Sequence, residues 1–199
     1  GQMVRSTVEA GGDQETRYPS SQYQDKRREE TGAVGEFKVG AEYFLRSALH
    51  ARKMVVTWEN ALNGVVIPAG EKVVLTSIVR HIVKFTNQGK EYTFVYHLAK
   101  TPNHVMLSKF FTADDPNPVI AALPNDIRVS GISKSRAIVG MTKWQVLYAM
   151  GVPPIVDKKK TYNLTLDMIL SSNIWIYKEG FADSYYVWFT NDKVARVKD

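Results

Sequence analysis

The stretch Val139-Gly140-Met141-Thr142-Lys143-Trp144-Gln145-Val146, closed by Met150-Gly151-Val152-Pro153-Pro154, sets both ends of one short helix by local chemistry. Thr142 stands at the N-cap position, and Gln145 follows three residues later at the spacing of a reciprocal capping box. Met141 before the cap and Val146 inside the first turns form a hydrophobic staple. Gly151 ends the helix, and Pro153-Pro154 forbid its resumption. The reading is a helix over 142–150. Upstream, Gly140 stops an earlier helix that starts from caps among Asn125, Asp126, Ser130 and Ser133 and runs to about Ile138.

Downstream, the pattern changes from helical to alternating. Ile174-Trp175-Ile176-Tyr177 reads as a strand. Ser184 to Thr190 reads as a second, with Tyr185, Val187 and Phe189 on one face and Tyr186 and Trp188 on the other. Asn191-Asp192 makes a tight turn into a third strand, Val194 to Val197. Two helices and a three-stranded meander predict one helical layer on one antiparallel sheet, an α+β domain over 124–199.

The glycine, capping threonine, Gln-Val pair, and Gly-Pro closure of residues 139–154, with the aromatic strands Trp175-Ile176-Tyr177 and Val187-Trp188-Phe189-Thr190-Asn191-Asp192-Lys193-Val194, resemble the BamE (SmpA/OmlA) domain of bacterial envelope lipoproteins. The resemblance spans residues 126–199. It implies a periplasmic protein, tethered to the outer membrane by an N-terminal lipid, that binds other macromolecules as a scaffold or assembly factor. Two departures stand against the family pattern: a β-rich module in front, and a long connection from Ile155 to Ser172 between helix and sheet.

That front module is expected over 35–118. Met54 to Trp58, Val65 to Ile67, Lys72 to Ile78, His81 to Phe85 and Glu91 to His97 read as short strands. Turn signals fall at Asn63-Gly64, Pro68-Ala69-Gly70 and Asn87-Gln88-Gly89-Lys90. This predicts a small antiparallel β-barrel-like module. His104 to Phe111 is expected as a short helix packing on it, and Asp114-Asp115-Pro116-Asn117-Pro118 break any continuation. Residues 1–34, rich in Gln, Glu, Ser, Gly, Arg and Asp, read as a flexible tether. No signal peptide pattern occurs; Gly1 reads as a tag-cleavage scar, so a lipoprotein leader is expected upstream.

The 199 residues carry a formal net charge of +6 and no cysteine, which excludes disulfides, thiolate catalysis and Cys-based zinc sites. No stretch approaches the roughly 20 apolar residues of a membrane span. Of the four histidines, His50, His81, His97 and His104, no pair has helical metal spacing, though His81 and His97 fall in adjacent predicted strands. Asp114-Asp115 and Glu179/Asp183 read as surface turns, and no nucleophile elbow or phosphate loop occurs. The expectation is therefore a non-enzyme with no catalytic, metal or cofactor-binding residues.

The crowd of aromatics in the C-terminal sheet points to binding instead. Trp175, Tyr177, Tyr186 and Trp188 are the candidate partner-binding residues, on a sheet face that is either an aromatic platform or covered by the rest of the chain. The expected partner is an envelope protein, with peptidoglycan or anionic lipid as further contacts, membrane attachment only through the lipid, and no nucleic acid. The alternatives are a cell-wall or polysaccharide-binding protein and an inhibitor of a secreted enzyme.

Overall fold

The computed structural model describes residues 37–96 and 101–199. The tether expected over 1–34 and the candidate residue His97 lie outside them. Within the described residues, Val39–Asp199 form one compact unit. The strands in its first half are β1 (Glu42–Leu45), β2 (Leu49–Ala51), β3 (Val55–Thr57), β4 (Val65–Ile67), β5 (Lys72–Val79), β6 (Ile82–Asn87), β7 (Lys90–Val95) and β8 (Phe111–Thr112). Helices α1 (Asn103–Leu107), α2 (Asn117–Ala121), α3 (Lys143–Met150) and α4 (Leu166–Leu170) are interspersed. Strands β9 (Ile155–Val156), β10 (Lys159–Lys160), β11 (Ile174–Lys178), β12 (Ser184–Thr190) and β13 (Lys193–Lys198) follow.

Among the described residues these strands make three sheets: a curled six-stranded one in the order β3-β7-β6-β5-β1-β8, a five-stranded one in the order β10-β9-β11-β12-β13, and the β2-β4 pair. In the six-stranded sheet, β5 to β7 are successive hairpins, and the Gln88-Gly89 turn has positive φ at both residues. The pairing shifts between Leu75 and Ser77, where Thr76 is the extra residue. Such a bulge increases local twist and helps the sheet curl. Its concave side buries Leu75, Val83, Phe85 and Phe94; Phe85 meets Phe111 and Phe94 meets Phe110 edge to face, the latter pair with centroids 4.9 Å apart.

The predicted α+β architecture is corrected by these elements. The chain is mostly β, with thirteen strands among the described residues and only short helices, and it is not a two-helix, three-stranded BamE-like fold. The helix expected to end near Ile138 is a π-helical turn, Ile127–Gly131, running into a 3-10 turn, Ile132–Lys134, which Ser135 ends in the left-handed region at φ 52°. The long connection after α3 is not a loop. Asp157 and Lys158, both at positive φ, make a two-residue turn between β9 and β10, and β9 pairs with β11. The sheet of three predicted strands therefore has five. The front module departs from a purely antiparallel barrel as well, because β3 runs parallel to β7.

Helix α3 itself forms as its caps require. The Thr142 hydroxyl accepts from Gln145 N, the Gln145 amide oxygen accepts from Thr142 N, and Gly151 ends the helix at φ 85°. A cap of this kind is worth ~1 kcal/mol.

Gly151 also carries the contact between the first and second halves of the unit. A Cβ there would lie 2.1 Å from the Ala48 carbonyl oxygen and 2.4 Å from Asn60 Nδ2. Ala48 N donates to Leu147 O, Asn60 Nδ2 donates to Ala48 O, and Tyr177 Oη donates to Gly151 O. Leu62 N bonds to Lys178 O, and Lys178 pairs with Glu59 at 2.8 Å. Gly140, by contrast, has positive φ but nothing within 4 Å of its would-be Cβ. In urea denaturation, Gly151→Ala is therefore expected to lower the unfolding free energy by about 3 kcal/mol or more, and Gly140→Ala by about 1 kcal/mol.

Candidate functional site

Strand pairing sorts the C-terminal aromatics onto two faces. Trp175 lies opposite Val187 and Tyr177 opposite Tyr185, so both share the face of Tyr185 and Phe189. Trp175 and Tyr177 are fully buried there. The Trp175 indole N–H donates to Ser172 O, and its ring meets Phe189 edge to face at 4.7 Å. Burial pushes the Tyr177 hydroxyl far above the usual phenol range, and the neighbouring Tyr185 pushes it the same way. Of the four candidate residues, the structure thus assigns Trp175 and Tyr177 to the core and leaves Tyr186 and Trp188 half-exposed on the opposite face.

The outward face is continuous across four strands. Ile174 stands opposite Trp188, and Ile176 lies between Ile155 and Tyr186. The rings of Tyr186 and Trp188 stack at 5.5 Å with 14° between their planes. Between β12 and β13 the register slips at Trp188/Phe189: Phe189 pairs with Val194, but Trp188 pairs with Arg196. Ala195 is the bulged residue. Without the bulge, Ala195 would oppose Trp188. With it, the Arg196 guanidinium lies 3.8 Å from the Trp188 ring centroid, within stacking and cation–π range.

Charge on this face has one sign. The charged residues at its outward strand positions are Lys160, Lys178, Lys193, Arg196 and Lys198. Lys178 is paired with Glu59, whereas Arg196 and Lys198 make no ion pair among the described residues.

The other sequence candidates fall elsewhere. Glu179 pairs with Arg136 at 3.2 Å, and its backbone N–H donates to Asp183 O to close the β11–β12 loop. Asp115 accepts from Asn117 N and Nδ2 in a local turn. His104 is exposed on α1, and the His81 ring lies 6.1 Å from Tyr96. Among the described residues, no three of His, Asp and Glu stand together as a metal site, and no helix is long and apolar enough to cross a membrane.

One constellation had no sequence signal. His50 Nδ1 lies 3.1 Å from Asn60 Oδ1, and its Nε2 lies 3.0 Å from Ser135 Oγ, across 85 residues of chain. The Asn60 amide is oriented by backbone: Oδ1 accepts from His50 N and Nδ2 donates to Ala48 O. Nδ1 must therefore carry the proton to bond Oδ1. Hydroxyl, imidazole and amide stand in the order of a nucleophile, its base and an orienting group. However, Ser135 is 6% exposed and His50 3%, and the single Ser135 hydroxyl proton has a second acceptor, Ala149 O at 2.7 Å, competing with Nε2 for it. The chain of bonds serves to tie β2 to the end of α3.

No protein-family profile matches this chain, and no curated protein or solved structure matches it.

Two buried bases make stability depend on pH. Burial lowers the His50 pKa below 6.5, opposed by the Asn60 bond and reinforced by the Arg136 charge. The unfolded chain binds that proton first as pH falls, so the contribution is complete above pH 6.5 and is lost below it. Burial also lowers Lys109 from 10.5 to about 7. Its Nζ donates to Thr161 O and Tyr162 O, a pair that the two N–H groups of a neutral amine satisfy. That contribution is complete above pH 10.5 and is lost as pH falls towards 7. Urea unfolding across pH is expected to show Lys109→Met flattening the rise in stability between about pH 7 and about pH 9. His50→Gln is expected to shrink the fall between about pH 7.5 and about pH 5.5.

Proposed function

We propose that this chain is a non-enzymatic protein-binding module that docks its partner on the outward face of the five-stranded sheet. The supporting observation is that face itself. Half-exposed Tyr186 and Trp188 and the isoleucine row stand on a layer whose other side is fully packed, so the floor is rigid before any partner arrives. Exposed aromatic and aliphatic side chains grouped on a flat, rigid surface are the composition of protein-binding patches. Placement in a bacterial envelope, with a lipid tether and a scaffold or assembly role, rests on the resemblance carried by residues 139–154 and the two aromatic strands. Globomycin sensitivity of the native product tests the tether separately.

A photo-crosslinking residue placed at Ile174, which is 38% exposed on this face, is expected to yield discrete protein adducts in the producing cell. The same residue at Val119, 55% exposed on α2, serves as the control and is expected to yield none. No adduct at Ile174, or the same adducts at both positions, would sink the docking reading.

A further inference from the structure

Resting on the docking reading above, we propose that the partner segment bound on this face is an acidic polypeptide in extended form, its carboxylates on Arg196 and Lys198 and its apolar side chains over Ile174, Ile176 and Tyr186. Four observations support this occupant.

The first is charge. Among the described residues, every charged side chain at an outward strand position of the sheet is basic, and Arg196 and Lys198 have no ion-pair partner. Complementary potentials steer and orient an anionic segment. The second is the state of Arg196. Its guanidinium is held against Trp188 at 3.8 Å, and the bulge at Ala195 is what brings it there. A stacked guanidinium keeps its N–H edges available in a fixed plane, the geometry that grips a carboxylate with two parallel bonds.

The third observation is spacing. Arg196 and Lys198 are alternate residues of β13, the last strand of the sheet order. Alternate strand residues stand ~7 Å apart, the same repeat that an extended peptide gives its own alternate side chains. Acids at every second position of such a peptide would meet both cations. The fourth observation selects the class of macromolecule. Sugars and nucleobases bind aromatic platforms by lying on free ring faces. Here the Trp188 π surface is already engaged by Tyr186 and Arg196. What remains open beside the cations is an aliphatic row, Ile174 and Ile176, which calls for apolar side chains rather than a sugar or a phosphate backbone.

The test uses the full chain and a fluorescein-labelled peptide of about twelve residues, with Glu at alternate positions and Leu or Ser between. Parallel arms use the same peptide with Lys for Glu, a labelled oligothymidylate and a labelled sulfated oligosaccharide. Fluorescence anisotropy is expected to show binding of the Glu peptide that weakens as salt rises. Arg196→Glu is expected to weaken it by about tenfold or more, and Lys198→Glu in the same direction. Arg196→Lys, which keeps the charge but not the planar fork, is expected to fall between wild type and Arg196→Glu. Lys84→Glu, exposed on β6 of the other sheet, is expected to leave binding unchanged. Unaltered circular dichroism and thermal midpoint would show that these surface variants fold.

Equal binding of the Lys peptide, preference for the oligothymidylate or the oligosaccharide, or indifference of the Glu peptide to Arg196→Glu would each overturn the assignment. Absence of peptide binding while Ile174 still crosslinks overturns the acidic-peptide assignment alone. Absence of both removes the docking face as well.

Discussion

The close approach of Gly151 to Ala48 is the contact on which the rest of the unit depends. Two backbones meet there at a distance that no Cβ would allow. At that point the backbone polar groups are bonded: Ala48 O takes the Asn60 amide, Gly151 O takes the Tyr177 hydroxyl, and Ala48 N reaches the end of α3. Buried polar groups are stable only when bonded, so these bonds admit one docking geometry. Helix α3, strand β2 and strand β11 are positioned together through a handful of atoms.

From that anchored strand, β11, the five-stranded sheet acquires its two unlike faces. Trp175, Tyr177, Tyr185 and Phe189 are consumed by the core, which leaves the opposite face to Ile174, Ile176, Tyr186 and Trp188. The same sheet is held at its far end by Lys143. Its Nζ, on a side chain only 6% exposed, bonds to Leu170 O, Asn173 Oδ1 and Asp192 Oδ1, so all three donors are used. Asp192 is 83% exposed, and its charge is largely screened by water. The positional effect matters more than the ion pair: the β12–β13 turn, α4 and the start of α3 share one cation.

A pattern recurs in the buried lysine amines and the buried imidazole. Lys109 and Lys143 both end on backbone carbonyls of the segment 161–170, and His50 reaches Ser135 beside α3. Each draws a short, irregular piece of chain against a regular element. Pieces such as β9, β10 and α4 are two to five residues long and cannot bury enough surface to order themselves. Side-chain bonds to their carbonyls supply what local structure lacks, at the expense of burying groups whose charged forms water would favour.

Local chemistry made much of this legible in advance. The Thr142 cap, the Gln145 reciprocal bond and the Gly151 stop define α3 from the stretch 142–151 alone, because each acts within one turn of helix. Strands β5, β6, β7, β11, β12 and β13 were readable from alternation and from the turns Gln88-Gly89 and Asn191-Asp192. The halves of the platform were only partly readable. Alternation separates Tyr186 and Trp188 from Tyr185 and Phe189 within one strand, but it cannot place β11 relative to β12. That took the cross-strand register, which put Trp175 and Tyr177 in the core. Three features had no local signal at all. The Asp157-Lys158 turn lacks glycine or asparagine at its left-handed positions, the Ala195 bulge breaks the parity that would have placed Arg196, and the His50–Asn60–Ser135 chain spans 85 residues. Caps, tight turns and alternation were legible because their forces act over a few residues. Which faces are buried and which cation meets which ring follow from register and close packing, which are set by partners distant in the chain.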